Sequence, residues 1–278
     1  MRGILGSSLI AGALVCAGAA AAAPSVEINH AAARVTVIPE ARSDIAVMVV
    51  KANSRLPLHI TRVGEHVIVD GNLTWRPANC HTVMGRPGVG VMGLGSVGYD
   101  DLPQVVIRTP RVAHVSAGGA IYGSIGAGDG VDLGSSGCGD WTVADQSGLV
   151  SLRLAGSGDV RAASAAQADV NVSGSGDVRL GAVHNGLTAA VAGSGNVVAS
   201  SVSGPLHARI AGSGDVRIHD GAVTDMDVAV SGSGDIRFGG VARNLDAHVA
   251  GSGDISVAQV TGAVSKHVAG SGEIHIGR

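Results

Sequence analysis

The chain has 278 residues, of which 44 are glycine and only 2% are aromatic. Its formal net charge is −3 at pH 7 and no stripe of basic residues is present, so the composition does not favour nucleic-acid binding. The apolar residues are mostly Val, Ala, Ile and Leu, which predicts a thin and regularly stacked core. Beyond the N-terminal segment, no apolar run has the length of a membrane span.

Residues 1–22 are predicted to be a secretory signal peptide. Arg2 gives the positive end, an apolar stretch follows, and small residues place the expected cleavage near Ala22. Cys16 raises the alternative of a lipid anchor, but the branched Val15 before it fits that processing site poorly. The chain is therefore expected to be exported. Its last residues, EIHIGR, leave no room for a translocator barrel, which favours the periplasm over the cell surface or secretion.

Two cysteines, Cys80 and Cys138, lie beyond the signal peptide. In an oxidising compartment we expect them to form a disulfide; two buried free thiols are the alternative. Trp75 precedes the first cysteine and Trp141 follows the second, so a disulfide would bring these two regions together.

The motif Gly-Ser-Gly-Asp recurs at a nearly constant period of about 19 residues, which indicates a repeat architecture. The glycines of the motif are Gly156, Gly158, Gly174, Gly176, Gly193, Gly195, Gly212, Gly214, Gly232, Gly234, Gly251, Gly253, Gly270 and Gly272. The aspartates are Asp159, Asp177, Asp215, Asp235 and Asp254. We interpret the motif as the corner at which each coil bends, because glycine places almost no volume inside a turn.

Apolar residues alternate with polar or small ones on both sides of each motif, as in strands with one buried face. Short strands repeated at this period predict an all-β fold, a right-handed parallel β-helix (solenoid) with coils of about 19 residues. Its internal columns would include Phe238, and would place Tyr122 directly before Trp141. A sugar-stacking surface is the alternative for these aromatic side chains.

The predicted organisation has two parts after the signal peptide. Residues 23–115 lack the motif but remain β-rich, and we expect irregular N-terminal coils or a cap. Residues 116–278 form the regular repeat, continuous with the first part. A separate small β-domain at the N-terminus is the alternative.

The tandem GSGDV/I units at this period, after a signal peptide and a β-rich leader, resemble the auto-transporter adhesin head family, the GIN domain. The resemblance extends over roughly Val26 to Arg278. It implies a right-handed parallel β-helix exported by bacteria, and it brings no catalytic residues and no cofactor.

The aspartates of the motif would lie about 5 Å apart in one column, which is repulsive unless something compensates. A bound cation is one solution and an arginine network is the other. Most of the aspartates have an arginine two residues later, and where Asn196 replaces the aspartate, Val198 replaces the arginine. This joint loss favours Asp–Arg pairs, and the period differs from that of nonapeptide calcium repeats.

Two further motifs resemble sites. His248 and His267 fall in one outward column beside Asp246, which makes them weak candidates for a metal site. The stretch Gly88–Gly93 matches a dinucleotide fingerprint but starts no helix, so we expect a glycine-rich loop or an edge strand there.

These observations predict an exported, non-enzymatic binding or adhesin-like module of the bacterial envelope, with no metal and no cofactor. Its expected partner is an envelope glycan or protein, and the outward columns rich in Ala and Ser leave self-association open. A purely structural envelope protein is the first alternative. A polysaccharide lyase or hydrolase is the second, although no pair of acids stands out from the repeat.

Overall fold

A computed structural model describes residues 23–74, 78–83 and 86–277. The predicted signal peptide, Cys16, Trp75 and Arg278 lie outside the described residues. The described residues form an all-β parallel solenoid of about nine turns with a spacing near 19 residues, which confirms the predicted fold class. Among the described residues, no helix has the length and apolar character that would let it span a membrane.

Strands account for almost all of the regular structure. The strands of the N-terminal part are β1 (Ser25–Pro39), β2 (Ala46–Lys51), β3 (His59–Val63), β4 (His66–Asp70), β5 (Ala78–Val83), β6 (Arg86–Val91), β7 (Gly95–Gly98), β8 (Gln104–Thr109) and β9 (Val112–Ile125). A short 3-10 helix, Tyr99–Asp101, connects β7 to β8.

The later strands are shorter at first and then nearly fill whole coils. They are β10 (Gly130–Ser135), β11 (Trp141–Val143), β12 (Gln146–Leu154), β13 (Val160–Ala162), β14 (Ala165–Val172), β15 (Val178–Val183), β16 (Leu187–Val191), β17 (Val197–Gly212), β18 (Val216–Gly232), β19 (Ile236–Gly251), β20 (Ile255–Val260), β21 (Val264–Gly270) and β22 (Ile274–Ile276).

Parallel pairing between successive coils stacks equivalent residues of the repeat. One internal column starts at Trp141 and continues through Val160, Val178, Val197, Val216, Ile236, Ile255 and Ile274. Most of its members are fully buried, so Val and Ile side chains fill the interior without large aromatic residues. Such stacking buries each apolar side chain at a gain of about 1.5–3 kcal/mol relative to its exposed state.

The predicted positions of Trp141 and Phe238 in the core are confirmed, since both side chains are buried. The predicted place of Tyr122 is wrong. Trp141 pairs with Gly123, and the indole ring covers the space that a side chain at Gly123 would need. The step from Gly123 to Trp141 is one residue shorter than the usual period, so Tyr122 falls on the outer face of the wall.

The irregular leader takes part in the parallel stack. β1 pairs in parallel with β9 on one side and with β4 and β8 on the other. β2 and β3 are added to β8 and β4 in antiparallel orientation. The predicted boundary between residues 115 and 116 falls within β9, and the division into two parts stays a prediction.

A separate three-stranded antiparallel sheet, β5–β6–β7, branches off between β4 and β8. We call this sheet the flap. The stretch Gly88–Gly93, expected to be a loop or an edge strand, instead contributes to β6, the central strand of the flap. Pairing on both sides explains why a glycine-rich stretch holds an extended conformation here.

Candidate functional site

The aspartates of the repeat form a continuous hydrogen-bonded column along one corner of the solenoid. In each step a side-chain oxygen accepts the backbone N–H of the equivalent residue in the next coil. The seven steps run from Asp140 through Asp159, Asp177, Asn196, Asp215, Asp235 and Asp254 to Glu273, at N···O distances of 2.9 to 3.2 Å. These side chains therefore join neighbouring coils rather than closing their own turn.

Arginines two residues after the aspartates supply the compensating charge in several coils. Arg217 Nη2 lies 2.7 Å from Asp215 Oδ2, and Arg237 Nη2 lies 2.7 Å from Asp235 Oδ2. Arg179 contacts both Asp177 and Asp159. Each arginine is about half exposed, so each pair contributes only about 0–1 kcal/mol.

Asp177→Asn is expected to lower the free energy of unfolding by no more than about 1 kcal/mol. The amide oxygen of asparagine accepts the same backbone N–H, as Asn196 already does for Asp215 at 2.9 Å. Only the exposed contacts with Arg179 weaken. Urea denaturation of both proteins, with and without added calcium, measures the difference. A severe loss of stability that calcium alters would instead identify the column as a cation site.

The fourteen motif glycines form two columns at the same corner. A Cβ added to any of them would approach the carbonyl oxygen of the glycine one coil earlier to under 3.0 Å. For example, Gly176 faces the Gly158 carbonyl and Gly174 faces the Gly156 carbonyl. The glycines are therefore needed because the backbones of successive coils touch there, and this close packing explains the repeat better than a ligand-binding turn does.

The histidine column lies on an outer face near the last coil. His248 and His267 are paired in register, with ring centroids 5.9 Å apart, and His248 Nε2 lies 3.1 Å from Asp246 Oδ1. These residues do come together as the sequence predicts. Within the described ranges, however, no group of three or more His, Cys, Asp or Glu side chains has a geometry that would hold a metal ion.

Cys80 and Cys138 form a disulfide, with Cα atoms 5.7 Å apart, which confirms the expected pairing. The bond joins β5 of the flap to the turn between β10 and β11 on the solenoid wall. Its neighbour on the wall is Ala120, which pairs with Cys138 across coils.

A small apolar core beneath the disulfide fixes the flap to the wall. Val89 and Val97 from the flap pack with Ala32 and Ala120, whose side chains point out of the solenoid. The adjacent residues Ala31, Ala33 and Ile121 instead point into the main core. Alternate residues of β1 and β9 thus pack into two different cores, the main core of the solenoid and the small core under the flap.

A cleft of about 740 Å³ opens between the flap and the glycine corner, and we call it the flap cleft. Its residues come from β5 and β6 on one side and from three successive coils of the wall on the other. They are Ala78, Asn79, Cys80, His81, Thr82, Pro87, Gly119, Tyr122, Ser136, Gly137, Cys138, Gly139, Asp140, Gly156 and Ser157. A second cleft of about 320 Å³ shares Pro87, Tyr122 and Asp140 with it.

Two aromatic residues mark the junction of the two clefts. Tyr99 and Tyr122 meet edge to face, with ring centroids 5.3 Å apart, and the Arg34 guanidinium lies 4.2 Å from the centre of the Tyr99 ring. The Tyr122 hydroxyl donates a hydrogen bond to the Gly88 carbonyl of the flap at 3.2 Å. Burial, and then the nearby charge of Asp140, raises the pKa of Tyr122, so its hydroxyl stays protonated at neutral pH.

Sequence reasoning missed this cleft as a site. Asn79, Thr82 and Tyr99 belong to no repeat, and only the cysteine pair signalled that their segment meets the corner near Asp140. A second signal was available in the motif itself. The unit at Gly137 reads GCGDWT, so Thr142 stands where four later units have arginine.

The comparisons with known proteins bear on the regular coils first. The model of the family described as "Putative auto-transporter adhesin, head GIN domain" matches residues 184–277. Those residues are similar to the head GIN domain. The predicted resemblance is confirmed for them, although it was expected from Val26 onward. The GIN match contains five of the Gly-Ser-Gly units and ends with the last described coil.

One solved structure extends the likeness in fold beyond the GIN match. A putative lipid binding protein from Parabacteroides distasonis ATCC 8503 aligns over 92% of both chains with a TM-score of 0.50 at 18% identity. A putative cell adhesion protein from Clostridium sporogenes ATCC 15579 aligns over 91% of both chains with a TM-score of 0.23 at 8% identity. Only the first alignment supports the fold. The comparison with curated proteins gives no match.

Proposed function

We propose that this chain is an exported, non-enzymatic solenoid that binds a component of the bacterial envelope in the flap cleft. The observation that carries the proposal is the flap itself, which the Cys80–Cys138 disulfide holds over the corner where the repeat departs from its pattern. A disulfide is typical of exported proteins, and the GIN match names adhesins. The periplasm is the proposed location.

The chemistry of the flap cleft supports binding rather than hydrolysis. Its lining residues include one carboxylate, Asp140, and one imidazole, His81. Glycoside hydrolases of the common type need two carboxyl groups on either side of the scissile bond, about 5–9.5 Å apart. The neutral side chains Thr82, Ser136 and Ser157 suit recognition by hydrogen bonding.

The filled interior supports an outer binding site as well. The inward columns of the regular coils are closely packed with Val, Leu, Ile and Ala side chains. The name of the Parabacteroides distasonis protein suggests a lipid as ligand. An acyl chain would need a mainly apolar cavity, whereas the flap cleft places Thr82, Ser136 and the Asp140 carboxylate beside its apolar residues.

We expect the purified, disulfide-bonded chain to sediment with isolated bacterial cell envelopes in a saturable way, and Ser157→Trp to abolish most of this binding. Ser157 lines the flap cleft, so an indole at this position fills it. Ser213→Trp is the matched control, because Ser213 is the equivalent exposed serine three coils further on.

Two results would contradict the proposal. No saturable binding by the unaltered chain would favour the purely structural role. Equal binding by the Ser157 and Ser213 variants would place the binding surface elsewhere on the solenoid.

A further inference from the structure

Asp140 is the member of the aspartate column that faces the flap cleft, and its surroundings differ from those of its neighbours. Asp159, Asp177, Asp215 and Asp235 each have an arginine two residues later within 4.0 Å. At Asp140 the equivalent residue is Thr142. Among the described residues no cation pairs with Asp140, and its one hydrogen bond, to Oδ1, comes from the Asp159 backbone N–H at 3.2 Å. Its Oδ2 is therefore available to a ligand.

The groups around this carboxylate are neutral donors and acceptors. Thr82 lines the cleft on the flap side, and Ser136 and Ser157 line it at the corner. Three hydroxyls and a carboxylate that line one cleft match a ligand with many hydroxyl groups. Hydrogen bonds from hydroxyls to a carboxylate are about twice as strong as those between neutral groups. Asp140 is therefore expected to contribute more to binding than any of the neutral side chains.

Flat apolar surfaces complete the cleft. Pro87 and the half-buried ring of Tyr122 lie in its wall, and glycines form its floor at the corner. A pyranose ring has apolar C–H faces between its hydroxyls, so it stacks on such surfaces while its edge forms hydrogen bonds.

The charge of the site selects against acidic ligands. Asp140 repels phosphates and carboxylates, and Arg34, in the second cleft, lies over Tyr99 and reaches Asp100 at 4.0 Å. No lysine or arginine lines the flap cleft among the described residues. A neutral ligand therefore fits better than an anionic one.

The two clefts are adjacent. Pro87, Tyr122 and Asp140 line both, so a ligand long enough to pass Tyr122 would reach the smaller cleft from the larger one. Thr36, Gln104 and Ser124 supply further neutral polar groups there. The arrangement suits a short chain of sugar units better than a single sugar.

From this geometry we propose that the flap cleft binds a neutral oligosaccharide, with Asp140 Oδ2 accepting hydrogen bonds from its hydroxyls and Tyr122 stacking on one ring. This inference rests on the proposed function and names the class of ligand for the same site.

The test is calorimetric titration of the disulfide-bonded chain with neutral oligosaccharides of glucose, mannose, galactose and N-acetylhexosamine, and with their uronic acid counterparts. We expect at least one neutral compound to bind and its uronic acid counterpart to bind less well. Asp140→Asn should lower the affinity for the neutral compound about 10- to 100-fold, as expected for loss of a charged hydrogen-bond acceptor. The same variant should also reduce the ratio of the affinities for the neutral and the acidic compound, because the negative charge that repels the acidic compound is removed.

Asp254→Asn is the matched control. Asp254 occupies the same column and is followed by Ser256 rather than arginine, but it lies far from the flap. It should leave both the affinity and the preference unchanged, and the two variants should have similar melting temperatures.

The outcomes separate this inference from the proposed function. If envelope binding is lost in Ser157→Trp but no oligosaccharide binds, the saccharide inference is wrong and the binding function stands. If an oligosaccharide binds equally well to Asp140→Asn and Asp254→Asn, the assignment of Asp140 is wrong. If neither envelopes nor oligosaccharides bind, both proposals fail.

Discussion

Gly176→Val is expected to lower the free energy of unfolding by at least about 3 kcal/mol, at the upper end of the usual cost of overpacking. The added Cβ would meet the carbonyl oxygen and carbon of Gly158, which are backbone atoms and do not rotate away. The corner has to open, and the hydrogen bonds near it lengthen. These include the bond from the Asp177 backbone N–H to Asp159 Oδ1, now 3.0 Å.

Ser175→Val is the control for Gly176→Val, because Ser175 is the adjacent residue and its side chain is exposed. It should change the free energy of unfolding by less than about 0.5 kcal/mol. Urea denaturation followed by circular dichroism measures both variants. Equal stability of the two would mean that the corner tolerates a side chain, and the close-packing explanation of the glycine columns would fail.

Replacing both cysteines by serine is expected to lower the free energy of unfolding by about 4 kcal/mol, from the loop-closure entropy of a bridge between residues 58 positions apart in the sequence. The flap has few other attachments to the wall: the small core around Ala32 and Ala120, and the Tyr122 hydrogen bond to Gly88. Loss of the disulfide therefore loosens the flap first, and backbone amides in β5, β6 and β7 should exchange faster with solvent.

Reduction of the unaltered chain provides the control for the serine variant. A reductant should lower the melting temperature of the unaltered chain and leave that of the double-serine variant unchanged. Hydrogen exchange should remain slow in the distant strands β17, β18 and β19. A stability change below about 1 kcal/mol, well under the usual range for a lost disulfide, with no faster exchange in the flap, would show that the apolar core alone holds the flap.

The structure of the regular coils could be predicted from the sequence because equivalent residues stack in the same way in each coil. In a parallel stack each residue lies on its equivalent one coil earlier, so the Gly-Ser-Gly-Asp motif aligns Val160 with Val178 and Leu180 with Ala199. The alignment failed at Tyr122, whose coil lacks the full motif, because the 19-residue period was applied to a step of 18 residues. A single-residue change of register turns every side chain of a strand to the other face.

The flap and its cleft could not be predicted in the same way, because their sequence contains no repeat. Antiparallel strands such as β6 and β7 pair through turns that carry no repeat, and glycine-rich segments are weakly specified as strands. The two walls of the cleft come from distant parts of the sequence, for example Thr82 and Ser136. Only the cysteine pair connects them in the sequence, and it predicts proximity without predicting a cavity.

The hydrogen-bonded column of aspartates runs along the solenoid axis and so measures the distance from the flap cleft to the last described coil. Seven steps separate Asp140, at the flap cleft, from Glu273 in the last described coil. At about 4.8 Å for each coil, the two positions lie about 34 Å apart along the axis. Because each coil contacts its neighbours through the same kinds of residues, gain or loss of one whole repeat moves the cleft by one such step and leaves every joint chemically unchanged. The number of repeats thus sets the distance between the flap cleft and the last described coil, and a change in that number leaves the residues of the cleft unaltered.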